Sequence, residues 1–173
     1  NEKARWPCFF PSPTGLITAW TKDKKANLMP CGSTTITSRH PLIIAPCISY
    51  SSINERYAPR ASLEIIKTAG YFGCGVAYIN DEITEAIRYC GTTSFVKDPD
   101  KIINSGLHIS NRPLAPRLDD LPIHFECKLT GEIRMGTHIM LLGEVKSILV
   151  RNDLTIQNPI NWCPWPDLKK RVL

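Results

Sequence analysis

The feature that most constrains the fold is an alternation of apolar and polar residues over 123–135, IHFECKLTGEIRM. A period of two is the pattern of a β-strand, in which successive side chains point to opposite faces. The tripeptide MGT then turns the chain, and 138–150 returns as a second long strand. The sequence therefore predicts a long antiparallel hairpin. Its apolar face is Ile123, Phe125, Cys127, Leu129, Ile133 and Met135, and its polar face is His124, Glu126, Lys128, Thr130, Glu132 and Arg134.

Three more strand-like segments lie near the N-terminus. Residues 15–21 and 26–36 flank the polar turn 22–25, which predicts a hairpin, and 41–49 follows as a third strand. Pro46 inside this third strand indicates a sheet edge or a bulge, because proline cannot donate a ladder hydrogen bond.

Two amphipathic helices separate these strands from the C-terminal hairpin. Apolar residues recur at helical spacing over 61–69, and Gly70 is the predicted C-cap. Residues 71–79 read as a buried strand, and 81–90 as a second helix capped by Asp81. Because strands and helices do not alternate regularly, a doubly wound parallel sheet is disfavoured. We expect a mainly β fold, an antiparallel barrel with peripheral helices.

Length and composition indicate one globular domain. The chain has 173 residues, 43% hydrophobic and 21% charged, which suits a single core. We expect the core over about 14–150 and a Trp- and Pro-rich tail over 151–173. No apolar run reaches the length of about 18 residues that a membrane span needs, and no secretory signal is visible. We therefore expect no membrane partner.

Charge and cysteine usage narrow the function further. The net charge of +5 is modest and its basic residues are scattered, which disfavours nucleic-acid binding. The seven cysteines are odd in number and include no CxxC pair. This pattern is typical of reduced thiols in the cytoplasm and disfavours both a disulfide framework and a structural zinc site. We expect a cytoplasmic protein without a bound metal.

Residues 27–62 carry a candidate phosphate site. Apolar strand-like runs give way to patches of Ser and Thr, and the second patch ends in Arg60 just before a helix. Hydroxyl groups, free backbone N–H groups at a helix start and a guanidinium are groups that bind phosphate. From the residues alone, an ordinary capped helix with a solvated Arg60 is an equally good reading. The candidates are Ser49, Ser51, Ser52, Arg60 and Ser62.

Several short motifs, in order along 14–150, resemble the flavin reductase-like family of FMN-binding split barrels. They are Asn27-Leu28-Met29-Pro30, Arg60-Ala61-Ser62-Leu63-Glu64-Ile65-Ile66, Tyr89-Cys90-Gly91-Thr92, Asp100-Lys101-Ile102, Gly136-Thr137-His138 and Gly143-Glu144-Val145. Each motif alone is weak, and the resemblance rests on their combination. It implies an antiparallel, Greek-key-like split β-barrel that binds FMN. The loop 50–59 is longer than is typical of the family.

The resemblance also implies the following roles for individual residues. The segment from residue 29 would run beside the isoalloxazine ring, although a strand with a bulge is the alternative reading of the segment alone. Cys31 could be redox-active, but packing is the simpler role for a buried thiol. The ring-side candidates are Met29, Pro30, Cys31, Gly32, Ser33 and Thr34, the phosphate-side candidates are Ser49, Tyr50, Ser51, Ser52, Arg60 and Ser62, and a closing group is Thr92, Ser94 and Lys101. His138 would contact the nicotinamide or the flavin.

The function implied is reduction of bound FMN by NADH or NADPH, in a homodimer with the flavin near the interface. Electrons would then pass to an acceptor, either a protein or free flavin. The cofactor would accept the hydride, and the protein would bind, orient and shield it. One alternative is a flavoredoxin-like electron-transfer flavoprotein with a protein partner. Another is a non-enzymatic ligand-binding module that kept the barrel without the flavin.

Overall fold

A computed structural model of the chain describes residues 14–50, 59–76, 81–152 and 154, apart from the side chains of residues 81 and 82. Strands and three helices alternate irregularly within these ranges. The strands are β1 (Gly15–Trp20), β2 (Ala26–Cys31), β3 (Thr34–Arg39), β4 (Leu42–Ser49), β5 (Tyr71–Val76), β6 (Ile109–Ser110), β7 (Arg117–Leu118), β8 (Ile123–Met135) and β9 (His138–Val150). The helices are α1 (Ala61–Ala69), α2 (Asp81–Thr92) and α3 (Lys101–Asn104).

Seven strands form one antiparallel sheet in the order β2-β1-β5-β8-β9-β4-β3, and β6 and β7 form a separate ribbon. The two edge strands, β2 and β3, are consecutive in the chain and are joined by Gly32 and Ser33. The sheet therefore curls until its edges meet. At the junction, the Cys31 thiol of β2 lies 3.4 Å from the Cys47 carbonyl of β4, the strand next to β3, so the two ends of the sheet come together. This confirms the predicted antiparallel barrel with helices outside it.

Two apolar clusters lie on opposite faces of the curled sheet. The barrel interior is closed by α1, while α2 and the segment after α3 cover the outer face of β1 and β2. Gly70 ends α1 with a φ of 71° and donates its N–H to Ile66, as predicted. The side chain of Asp81, the predicted cap of α2, lies outside the described residues. The interior cluster is Ile17, Ala19, Met29, Cys31, Ile44, Ile48, Leu63, Ile66, Phe72, Cys74, Cys127, Ile139 and Leu141, and the outer one is Leu16, Leu28, Ile83, Ala86, Ile87, Cys90, Ile102, Leu107, Leu118 and Leu121.

The predicted N-terminal strands need two corrections. Residues 26–36 were expected to form one strand, but β2 ends at Cys31 and β3 begins at Thr34, because the chain crosses there from one sheet edge to the other. Pro46 does not lie in an edge strand, since β4 pairs with both β3 and β9. The pairing with β9 runs through Ile44 and resumes at Cys47, so Pro46 lies where the described register has a gap.

The β8–β9 hairpin is confirmed, with Met135 opposite His138 across the turn. The predicted alternation holds in the first half of β8, where Phe125, Cys127 and Leu129 pack on the barrel interior. The expected division into a buried apolar face and an exposed polar face is wrong for the strand as a whole. His124 and Glu126, expected on a polar face, are 0% and 2% exposed, whereas Ile133 is 48% exposed. The physical reason is that the segment before β8 folds over the first half of the strand, while the second half extends beyond the covered region.

Candidate functional site

The candidate site lies where the end of β4 meets the start of α1. The backbone N–H of Arg60 donates to the carbonyl of Ser49 at 3.1 Å, which ties the two elements together. Arg60 is the N-cap residue, with extended backbone angles, and no side chain of the described residues caps the helix. A helix start without a side-chain cap presents N–H groups and a partial positive charge to whatever lies in front of it. The exposed Arg60 guanidinium adds a full charge, with no acidic partner among the described residues.

Two buried hydroxyl groups flank this helix start. Ser62 Oγ accepts a hydrogen bond of 2.8 Å from Asn27 Nδ2, which leaves the Ser62 hydrogen available to another acceptor. Ser49 Oγ is buried and has no hydrogen-bond partner within the described ranges. An unsatisfied buried hydroxyl is costly unless a ligand or water completes it. Two hydroxyl donors, a free helix start and a guanidinium together fit a phosphate group.

The β8–β9 turn forms the opposite wall of the site. Tyr50, which directly follows β4, donates its backbone N–H to Thr137 O at 3.1 Å and its hydroxyl to Gly136 O at 2.8 Å. Gly136 has a φ of 53°, the left-handed conformation that the turn requires. Ser49 lies opposite His138 in the ladder between β4 and β9. These contacts place His138 beside the phosphate candidates.

The electrostatics agree with this placement. Burial lowers the pKa of His138 below its usual value, and the positive charge of Arg60 lowers it further. Thr137 Oγ1 lies 2.8 Å from His138 Nδ1 and orients the ring. Burial raises the pKa of Cys31, and the charge of Arg60 opposes that shift in small part. Arg60 therefore acts on both His138 and Cys31, which the sequence separates widely.

The ring-side candidates form the end of β2 and its junction to β3. Met29, Pro30 and Cys31 are buried, whereas Gly32 and Ser33 are half-buried. Thr34 Oγ1, also buried, donates to the Cys31 carbonyl at 3.0 Å. The Cys31 thiol lies 3.4 Å from the Cys47 carbonyl, and its raised pKa disfavours the reactive thiolate, so packing remains its simplest role.

In the closing group, the side chains of Thr92 and Ser94 make hydrogen bonds to nearby backbone groups. Thr92 Oγ1 donates to the Arg88 carbonyl at 2.9 Å inside α2. Ser94 Oγ accepts the N–H of Val96 at 3.2 Å within a turn. Both side chains are exposed, and their role at the flavin stays a prediction. Ser51 and Ser52 lie outside the described residues, as does most of the loop 50–59.

Lys101 has a visible structural role. It is 3% exposed, and its ammonium donates to the carbonyls of Cys90 at 3.2 Å and Thr93 at 3.0 Å. Burial lowers its pKa, and among the smaller influences the charge of Arg60 acts in the same direction. Lys101 thus donates hydrogen bonds to carbonyls at the end of α2, where a cation also interacts favourably with the helix dipole. A direct contact with flavin stays a prediction.

Sequence reasoning missed two residues of the site. Asn27 was part of a family motif but was not assigned to the site, and the structure shows that its amide holds Ser62. Arg134 was assigned only to the polar face of β8, yet its guanidinium lies 4.8 Å from the centre of the Tyr50 ring. The Asn27–Leu28–Met29–Pro30 motif could have indicated Asn27. No local sequence pattern indicates the contact of Arg134 with Tyr50.

Other site classes find no support in the part of the chain that the structure describes. There, no group of three or more His, Cys, Asp or Glu side chains could hold a metal ion. No described helix has the length and apolarity to cross a membrane.

Fold and site together define a class: a small antiparallel barrel, split between consecutive edge strands, with a helix start and an exposed arginine at its rim. Residues 7–164 match the family described as flavin reductase like domain, and the chain belongs to this family. No curated protein sequence matches the chain significantly.

Solved structures of low sequence identity share the fold. Nitrilotriacetate monooxygenase component B from Bacillus cereus has a TM-score of 0.73 at 19% identity, over 87% of this chain and 75% of its own. The FMN-binding protein from Thermus thermophilus has a TM-score of 0.73 at 14% identity, over 88% and 79%. Flavoredoxin from Methanosarcina acetivorans has a TM-score of 0.74 at 21% identity, over 93% and 78%. These similarities confirm the split-barrel fold.

Proposed function

We propose that this chain is an FMN-binding flavoprotein and an NAD(P)H-dependent flavin oxidoreductase, which passes electrons from a nicotinamide donor through FMN to an acceptor. The observation that carries the proposal is the arrangement around Arg60. A guanidinium, a helix start without a side-chain cap and the buried hydroxyls of Ser49 and Ser62 converge at one rim of the barrel. FMN ends in a phosphate monoester, which is the group that such an arrangement binds.

The remaining residues of the site have supporting roles. Asn27 donates to the Ser62 hydroxyl, which leaves the hydroxyl hydrogen available to a phosphate oxygen. The buried end of β2 and its junction to β3 would line the isoalloxazine ring and exclude water. FMN, when bound, supplies the hydride-accepting chemistry of the reaction. His138 contributes a ring that its lowered pKa keeps neutral near pH 7, suited to a hydrogen bond with the nicotinamide carboxamide or the flavin.

Similar proteins support this proposal by their described ligands and roles. One structural neighbour is described as an FMN-binding protein and another as a flavoredoxin. The flavoredoxin similarity favours a second candidate function, electron transfer with a protein partner and without efficient reduction by a nicotinamide. Both functions use the same FMN site, and they differ in the electron donor.

We also propose that the protein forms a homodimer with the flavin near the interface. The support is apolar surface near the turn of the β8–β9 hairpin, where Ile133 and Met135, two residues apart in β8, are 48% and 40% exposed. Exposed apolar patches of this kind are often contact surfaces. Size-exclusion chromatography with light scattering, with and without FMN, would measure the molecular mass directly. A monomer in both conditions would contradict the proposed homodimer.

The function is tested by titrating the protein with FMN and then adding NADH or NADPH without oxygen. Rapid bleaching of the flavin absorbance is the expected result. A flavin that binds but stays oxidised would favour the electron carrier, and failure to bind FMN would leave a ligand-binding module.

The Arg60→Ala variant tests the phosphate assignment. Hydrogen bonds to charged groups contribute about 1.5–3 kcal/mol, so the Kd for FMN should rise by about 10- to 150-fold. Arg39→Ala is the matched control, since Arg39 is an exposed arginine in β3. An unchanged Kd in a folded Arg60→Ala protein would remove Arg60 from the phosphate site.

A further inference from the structure

Arg134 carries a charge that the described part of the protein does not neutralise. The residue lies near the end of β8 and its side chain is exposed. Glu132, two residues earlier in the strand, pairs with Lys67 at 3.1 Å instead. No described carboxylate pairs with Arg134. An exposed guanidinium without an acidic partner can accept an anionic ligand without first breaking an ion pair.

The Arg134 guanidinium is held in a defined place. It lies 4.8 Å from the centre of the Tyr50 ring, within the range of a cation–π contact. Tyr50 is itself fixed at both ends, since its backbone N–H donates to Thr137 and its hydroxyl to Gly136. Stacking leaves the edge of the guanidinium, with its N–H donors, open to bind an anion in a bidentate manner. The charge is thus preorganised at the β8–β9 turn.

The Arg134–Tyr50 pair adjoins the candidate flavin site but is distinct from the phosphate cradle. Tyr50 follows Ser49 directly, and Ser49 lies opposite His138 in the sheet. Arg134 lies opposite Ile139, the neighbour of His138. The FMN phosphate is assigned to Arg60 and the start of α1, so Arg134 provides a second cationic group at the β8–β9 turn. Because successive residues of a strand alternate in direction, its side chain leaves the strand on the face opposite to that of His138.

We propose that Arg134, stacked on Tyr50, binds a phosphate of the nicotinamide dinucleotide donor and thereby determines donor affinity. This inference rests on the proposed function. NADH and NADPH both carry a pyrophosphate, and NADPH carries a further phosphate on its ribose. In both cases a phosphate would bind the Arg134 guanidinium. Comparing the KM values of NADH and NADPH distinguishes the pyrophosphate from the ribose phosphate.

The test uses full-length protein with Arg134→Gln, and Lys128→Gln as the matched control, because Lys128 is an exposed cation earlier in β8. FMN affinity is measured first and should be equal in all three proteins. Steady-state kinetics then follow with each donor. The KM of Arg134→Gln should rise by about tenfold or more with little change in kcat, as expected for loss of a charged hydrogen bond. Lys128→Gln should match the wild type.

The pattern across donors identifies the phosphate. A rise in KM for NADPH alone assigns Arg134 to the ribose phosphate, and an equal rise for both donors assigns it to the pyrophosphate. Calorimetric titration of the FMN-loaded proteins with NADP⁺ and NAD⁺ should show the same loss of affinity without turnover. An Arg134→Lys protein should recover part of the affinity, because the charge remains but the stacked fork is lost.

Two failures are distinguishable. If the wild type binds no FMN, the proposed function is wrong and this inference falls with it. If the wild type binds FMN and oxidises a donor, but Arg134→Gln keeps both the KM and the calorimetric affinity of the wild type, the assignment of Arg134 alone is overturned.

Discussion

His124 allows a test of how the segment before β8 covers the first half of that strand. Its titratable ring is buried there without a hydrogen-bond partner among the described residues. Its side chain is 0% exposed, and both ring nitrogens are unpaired within the described ranges. Burial lowers the pKa of His124 from 6.5 to about 4. The carboxylate of Glu126, and to a smaller extent that of Asp119, opposes the shift, while the guanidinium groups of Arg117 and Arg112 add to it. The perturbation is a fall in pH. Its effect on the free energy of unfolding is compared between the wild type and the His124→Phe variant.

The sign and size of the change in the free energy of unfolding follow from proton linkage. Between pH 6.5 and about 4 the unfolded chain binds a proton at this ring and the folded protein does not. The free energy of unfolding therefore decreases as the pH falls through this window, and the loss levels off below it. The two pKa values differ by 6.5 − 4 = 2.5, and at about 1.36 kcal/mol for each unit of pKa the full loss is about 3 kcal/mol.

The assay is equilibrium urea unfolding of both proteins at several values from about pH 7.5 to about pH 4. The wild type should lose about 3 kcal/mol relative to His124→Phe over this range. Comparing the two proteins cancels the packing cost of the substitution and the contributions of other groups. One of these is the exposed His108, whose pKa its hydrogen bond to Asp120 raises, so that it acts in the opposite direction. Parallel pH profiles for the two proteins would refute the reasoning, since His124 would then be able to take up its proton in the folded state.

Two further predictions concern packing and helix termination. Gly143→Ala should lower the free energy of unfolding by about 1–3 kcal/mol, because the new Cβ would overlap the Phe72 ring, whereas Gly131→Ala, with its nearest atom 3.6 Å away, should change it by about 0.5 kcal/mol or less. Equal urea midpoints for the two variants would contradict the packing argument. Lys101→Met should cost about 1–3 kcal/mol, with or without FMN, because two carbonyls at the end of α2 lose their donor. A variant as stable as the wild type in thermal unfolding would show that water replaces the ammonium there.

The sequence was most informative where structure depends on neighbouring residues. Helix α1 and its end at Gly70 follow from apolar spacing and a glycine that can adopt positive φ. Arg60 and Ser62 could be chosen as candidates because a helix start is visible in the sequence and both residues lie beside it. The β8–β9 hairpin followed from alternation and a Gly-containing turn.

Features that depend on distant segments were not predictable in this way. The burial of His124 and Glu126 depends on the segment before β8, where Arg112 pairs with Glu126 at 3.1 Å. The alternation pattern records only that these side chains are polar, and it contains no information about what covers them. Lys101 caps a helix that ends before it in the chain, and Arg134 stacks on a ring from β4's far end. Each depends on a contact between segments that no local pattern specifies.

The position of the candidate site follows from the topology of the sheet. In an antiparallel sheet the end of one strand lies beside the start of its neighbour, so residues that terminate different strands collect at one rim. Cys31 ends β2, Ser49 ends β4 and His138 begins β9, and the contacts among these strand ends bring them to one region of the barrel. Helix α1 starts at the same rim because Arg60 is bonded to Ser49. A motif search along the chain therefore finds the candidate site in separate pieces, and the antiparallel order of the strands is what brings those pieces together.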